Sequence, residues 1–130
     1  MPWIYHQKSG KLYHDDKYIG RGWSGHGSGK NAPNLQSLRS MGPLSRGRYT
    51  IGHPFDYRRT PTSPHGTGPY SMRLTPASGN HMFGRSGFLI HGASTNPAHY
   101  GQESNGCVIL LSAFRHMIGA SSDHVFEVVE

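Results

Sequence analysis

Several common building materials are scarce in this chain. There is one cysteine, so no internal disulfide can form and a stapled secreted scaffold is excluded. The longest aliphatic run is Val108-Ile109-Leu110-Leu111, far short of the roughly 20 apolar residues a membrane helix needs. No basic stretch followed by an apolar one opens the sequence at Met1-Pro2-Trp3-Ile4-Tyr5-His6, so no secretory leader is expected. No unit recurs along the chain, which excludes a solenoid. Uninterrupted helix-forming stretches are also few. Gly (18) and Pro (9) make up a fifth of the 130 residues, and both break helices, so a helical bundle is excluded.

What is present points to short strands joined by tight turns. Two Trp, seven Tyr and five Phe supply a small core and argue against wholesale disorder. The length suits one domain over residues 1–130. Basic residues outnumber acidic ones 13 to 7, for a net charge of +6. That balance favours a polyanionic partner such as nucleic acid, an anionic membrane or a cell wall. The basic residues are scattered, with only Arg58 and Arg59 adjacent. Ten histidines add positive charge as pH falls.

Along the chain, the alternation from Trp3 to His6, the turn Gln7-Lys8-Ser9-Gly10 and the returning Leu12-Tyr13 predict a hairpin. A Gly-rich stretch from Gly20 to Gly29 follows. Asn31-Ala32-Pro33-Asn34 predicts a helix start, with Leu35 and Leu38 on one face and Gly42 as its stop. Strands are predicted at Arg48–Ile51, Tyr70–Leu74 and Val125–Val129, with a Pro-rich loop over 52–69. Gly87–His91 and Cys107–Leu111 read as two buried strands bracketing a polar loop over 92–106. Ser112 is predicted to cap a helix over Ala113–Ile118, with Phe114, Met117 and Ile118 inward and Gly119 ending it. The expected fold class is mostly β with two short helices.

The two buried strands locate the chemistry. The first ends at His91 and the second begins at Cys107. Strands lying side by side would bring thiol and imidazole together as a thiolate–imidazolium pair, the activated nucleophile of acyl transfer. The turn Ser104-Asn105-Gly106-Cys107 can aim successive backbone N–H groups into one concavity, where they would stabilise an oxyanion. Set against this, a lone Cys is often a small buried apolar residue.

Ile90-His91-Gly92 followed by Ser104-Asn105-Gly106-Cys107-Val108 resembles the catalytic signature of the L,D-transpeptidase family, with His before Cys. Gly42-Pro43-Leu44-Ser45-Arg46-Gly47-Arg48-Tyr49-Thr50-Ile51 is similar to that family's segment upstream, with Ser45-Arg46 in place of its usual Thr-Pro. Asn105 stands where the housekeeping enzymes usually carry His, and Val108-Ile109 where they carry a basic or polar residue. The opening pattern Trp3-x-Tyr5, Ser9-Gly10-x-Leu12, Gly22-x-Ser24-Gly25 and Lys30-Asn31-x-Pro33 looks like a smaller branch, the toxins injected into rival bacteria by type VI secretion.

The resemblance implies a β-rich, sandwich- or barrel-like catalytic domain. It implies Cys107 as nucleophile and His91 as its base, with Ser104, Asn105, Gly106 and Gly92 supporting them. Apart from the resemblance, Arg85, just ahead of the His91 strand, can be read as a partner for a substrate carboxylate or as a solvated surface cation, the second being the commoner case. The substrate would be the peptidoglycan stem tetrapeptide, and neither cofactor nor metal would be used. An immunity protein, the secretion apparatus and delivery to a target periplasm are implied too, with no nucleic acid and no membrane insertion.

Two other readings stand beside this one. His81, His91 and His99 are close enough in sequence to suggest a zinc hydrolase, although His-Glu-x-x-His is missing. Tyr49, Tyr57, Arg58 and Arg59 interleave aromatic and basic groups, as a non-enzymatic cell-wall-binding module could. Gly25-His26-Gly27-Ser28-Gly29-Lys30-Asn31 fails as a phosphate loop, because Ser24 and Asn31 stand at two of its required positions.

Overall fold

The computed structural model describes residues 1–58, 60–62, 66–93 and 104–130. The strands are β1 (Trp3–His6), β2 (Lys11–His14), β3 (Lys17–Arg21), β4 (Trp23–Ser24), β5 (Gly47–Ile51), β6 (Phe55–Tyr57), β7 (Gly68–Pro76), β8 (Leu89–His91), β9 (Val108–Ile109) and β10 (Val125–Val129), with one helix, α1 (Ser112–Ala120). They form a sheet in the order β3-β2-β1-β10-β5-β7-β8-β9-β4, with β6 paired to β7 off that path. β3 and β4 sit at opposite ends of this order, yet only Gly22 separates them in the chain. The sheet therefore curls until its edges meet, which is how a small all-β domain limits exposed edges. Gly22 is where they meet: a Cβ there would lie 2.0 Å from the Ile109 carbonyl oxygen.

Alternation builds the core. β1, β5 and β10 bury every second residue. Trp3, Tyr5, Tyr49, Ile51, Phe126 and Val128 thus face inward with Leu12, Met72, Leu74 and Ile90. Each such apolar side chain contributes about 1.5–3 kcal/mol by leaving water. β1 and β10 are parallel, joining the two ends of the described chain, with Trp3 opposite Phe126 and Tyr5 opposite Val128. The hairpin of β1 and β2 is as expected. β8 and β9 are buried along their whole length, as their unbroken apolar character predicts.

Several expectations are corrected. The helix expected after Asn31 is only a 3-10 turn at Pro33–Leu35. Ser40 adopts φ +65, which an α-helix cannot contain, and the chain turns back to deliver buried Leu44. Among the described residues one α-helix forms, so in place of the expected pair stand α1 and short 3-10 turns. In α1, Ser112 is the first helical residue rather than its cap, and Gly119 lies inside the helix. Gly119 is needed for packing, because a Cβ would lie 2.2 Å from the Tyr70 hydroxyl. Met117 is 46% exposed, and Arg115 takes the inward position with Ile118. β9 stops at Ile109, and Leu111 is 62% exposed. The loop expected over 52–69 includes β6, and β7 begins at Gly68. No helix among the described residues is long and apolar enough to cross a membrane.

Candidate active site

β8 and β9 are adjacent and parallel, with Ile90 opposite Val108 and His91 opposite Ile109. Extending that register by one residue sets Cys107 opposite Leu89. Leu89 and His91 share a face of β8, because strand side chains alternate. Cys107 immediately precedes β9 and lies beside Leu89, while His91 is the last residue of β8. The parallel pairing sets His91 at the far end of β8 and Cys107 before the near end of β9. The Leu89 N–H donates to Cys107 Sγ at 3.3 Å.

Cys107 itself is half-buried. Burial raises its thiol to about 11, while the Leu89 N–H and the charge of Arg85 act the other way. Desolvation disfavours a thiolate, and a donor and a cation favour it. The resting group is therefore a thiol that needs a base to ionise.

The turn before Cys107 is held by groups from distant segments. Buried Ser104 accepts from the Gly25 N–H at 2.8 Å and the Gly106 N–H at 3.1 Å. Its hydroxyl donates to the Cys107 carbonyl. His26 Nδ1 donates to the Ser104 carbonyl at 2.8 Å. Ser24 Oγ donates to the Gly106 carbonyl at 2.9 Å and accepts from the Leu44 N–H at 2.8 Å. Each end of Ser104-Asn105-Gly106-Cys107 is thus tied to the segment 24–26. Gly106 has φ +128, and a Cβ there would lie 2.5 Å from both Arg85 Nη2 and Phe88 Cε1. Only glycine fits. The Gly106 N–H is spent on Ser104 Oγ, which withdraws it from the oxyanion role expected of it.

Arg85 is 7% exposed, and its guanidinium is not a free claw. Nη1 donates to the Gln36 carbonyl at 2.5 Å and the Pro43 carbonyl at 2.8 Å. Nη2 donates to the Gly42 carbonyl at 2.9 Å and the Asn105 carbonyl at 3.0 Å. Four of its five donors are spent on backbone, and its cation lies over the Phe88 ring at 5.2 Å. The geometry makes Arg85 a brace under the nucleophile turn, not the substrate-carboxylate partner that the sequence suggested.

His91 is 4% exposed. Its Nδ1 lies 2.9 Å from the carbonyl of Gly92. A carbonyl only accepts, so Nδ1 is the donor in this contact. Gly92 is thus the group that sets the tautomer of His91. Beside it packs the second buried arginine, since a Cβ on Gly92 would lie 2.6 Å from Arg115 Nη2. Arg115 donates to the carbonyls of Leu110 at 3.1 Å, Pro69 at 2.7 Å and Tyr70 at 3.2 Å. It ties α1 to the ends of β7 and β9, next to the His91 strand end.

Hydrogen bonds thus join Arg85, Ser104, Asn105, Gly106 and Cys107 in one turn beside Leu89, while His91 and Gly92 stand at the other end of β8. Sequence reasoning gave no role to Ser24, His26 or Arg115. The available signal was Gly22-x-Ser24-Gly25, a polar motif embedded in a Gly-rich stretch. His99 and Arg59, invoked in the zinc and wall-binding readings, lie outside the described residues. Among the described residues, the possible metal-ligating trio is His14, Asp15 and Asp123, which includes neither His81 nor His91.

The model of the Tlde1 domain family matches residues 19–122. The chain belongs to this family. The Tlde1 domain is a type VI secretion L,D-transpeptidase effector family, and the matched span takes in every site residue named above. Among solved structures, an L,D-transpeptidase from Mycobacterium smegmatis is similar with a TM-score of 0.50 and 16% identity. That match covers 98% of this chain and 58% of the solved one. The Tlde1 chain thus spans less than two thirds of that enzyme's length and shares its fold. No curated protein sequence matches it.

Proposed function

We propose that this Tlde1-family chain is a cysteine acyl-transfer enzyme acting on peptidoglycan stem tetrapeptides. The observation that supports the reading is the pairing of β8, which ends in His91, with β9, which directly follows Cys107, together with the His91 Nδ1 contact to the Gly92 carbonyl.

His91 Nε2 takes the thiol proton of Cys107. The thiolate attacks the amide carbonyl between the third and fourth stem residues. A tetrahedral oxyanion forms, and with the Gly106 N–H committed elsewhere, its donors are the Asn105 and Cys107 N–H groups. The C–N bond breaks and His91 returns the proton to the departing amine. The terminal D-amino acid leaves and a thioester stays on Cys107. Water then releases a tripeptide, which is L,D-carboxypeptidase activity. A free D-amino acid as acceptor gives exchange, and a second stem's amine gives a crosslink. No step calls for a metal or cofactor.

Loss of tetrapeptide donors would weaken a growing wall, which suits an interbacterial toxin. In that reading the secretion apparatus delivers the chain to a target periplasm, and the producer needs an immunity protein that covers the Cys107 cleft.

The experiment is mass spectrometry of purified tetrapeptide muropeptides after incubation with the parent chain and with Cys107→Ala. The parent should trim the tetrapeptide or swap its last residue, and the variant should do neither. If both leave the muropeptides untouched, the enzyme reading fails and the wall-binding module replaces it. If both are active, Cys107 is not the nucleophile.

A further inference from the structure

A cleft of about 230 Å³ opens beside the nucleophile turn, lined by Arg39, Ser40, Gly84, Ser86, Phe88 and Asn105, with Arg85 at its base. Asn105 belongs to both this cleft and the turn that ends at Cys107. We propose that the cleft is a carboxylate subsite of the peptide substrate, with Arg39 as its specificity-determining residue. This rests on the proposed function and refines it.

The two cations at the cleft differ in kind. Arg85 is occupied by the carbonyls of Gln36, Gly42, Pro43 and Asn105. Arg39 is exposed and takes part in none of the ion pairs found among the described residues. Among the described residues, no acidic side chain lines the cleft. Its two arginines favour an anionic occupant. A guanidinium engages a carboxylate through two parallel hydrogen bonds, and the Ser40 and Ser86 hydroxyls add donors. The volume, about 230 Å³, admits one amino-acid residue with its carboxylate.

The backbone around Arg39 is unusual for its sequence. Ser40 (φ +65) and Phe83 (φ +57) are non-glycine residues in the left-handed region, on the two segments that frame the cleft. Such conformations persist only where the surroundings impose them, and they gather at ligand-holding segments. Gly84 (φ +72) completes the frame, since a Cβ there would come within 3.3 Å of Arg39 Nη2. One guanidinium nitrogen of Arg39 thus lies over the bare backbone of Gly84.

The anion could be the terminal carboxylate of the leaving residue or an internal carboxylate of the stem. Three tetrapeptides separate these sources: the free acid, its C-terminal amide, and a form with the internal carboxylates amidated. Each is titrated calorimetrically into Cys107→Ala, and into that variant carrying Arg39→Ala or Arg39→Lys. One amidation should weaken binding about tenfold in the parent background, which identifies the carboxylate. Arg39→Ala should abolish that difference and Arg39→Lys should keep part of it. With Cys107 intact, Arg39→Ala should raise KM for the free acid about tenfold. The subsite is overturned if Arg39→Ala discriminates among the three peptides as the parent does, or if none of them binds. Turnover without Arg39 dependence removes the subsite and leaves the reaction standing. Arg39-dependent discrimination without turnover removes the reaction and leaves the subsite.

Discussion

The Leu89 N–H points at the Cys107 sulfur, 3.3 Å away. A strand amide that would otherwise serve the sheet ladder is spent on a thiol. It is a better donor to a thiolate than to a thiol. The charge of Arg85 works in the same direction, and burial works against both.

Thiol ionisation is therefore expected to respond to Arg85. Alkylation of Cys107 by iodoacetamide should be slow near neutral pH and should accelerate as pH approaches about 11. Arg85→Gln removes a cation that lowers the thiol pKa, so the rise should move to higher pH. Arg85→Lys retains the charge without the fork and should fall between the two. Superimposable alkylation profiles for parent and Arg85→Gln would show that Arg85 acts only as a brace.

Ser104→Ala should cost stability well beyond one hydrogen bond. The hydroxyl serves the Gly25 and Gly106 N–H groups and the Cys107 carbonyl, all at a buried site. Leaving these groups unpaired should cost about 3 kcal/mol, read as a shift in urea midpoint with unchanged slope. A change below about 0.5 kcal/mol would mean that water replaces the hydroxyl.

Gly106→Ala meets two obstacles at once. A Cβ would lie 2.5 Å from Arg85 Nη2 and from Phe88 Cε1, at φ +128. The strain should cost about 2 kcal/mol, and relieving it requires the turn to move away from Arg85. Stem-peptide turnover should then fall more than stability does, because the displaced turn carries Cys107. A variant with full turnover would contradict this account of the turn.

The parts legible in the sequence were those written in local pattern. The β1–β2 hairpin follows from alternation and a Gly10 turn. The pairing of β8 and β9 follows from two short apolar runs bracketing a loop. What was hidden depends on tertiary partners. Arg85 reads as a surface cation until Gln36, Gly42 and Pro43 deliver their carbonyls to it. Arg115 stands in the inward position expected of Met117 because carbonyls at the start of β7 accept its protons. The helix expected near Leu35 and Leu38 had the right spacing, but Ser40 turns the chain where a helix would continue. Ser24 and His26 serve a turn some eighty residues away, and no local pattern encodes that.

Acid should loosen the clasp between β2 and the segment before β10. His14 Nε2 lies 2.6 Å from Asp123 Oδ2, and the His14 ring stacks on Trp3 with centroids 3.8 Å apart. The hydrogen bond from His14 holds the Asp123 carboxyl below its ordinary value, helped by the Met1 amino group. A depressed carboxyl stabilises the fold above the ordinary carboxylate pKa, and that stabilisation is lost as pH falls through the depressed value. Asp123→Asn has no carboxylate to lose. The parent should therefore have the higher Tm near neutral pH, and the gap should close as pH drops below about 3.9, the usual carboxylate value. Because the pair faces solvent, added salt should narrow the neutral-pH gap as well. A gap that stays constant from neutral pH into strong acid would show that Asp123 acts through packing and not through its charge.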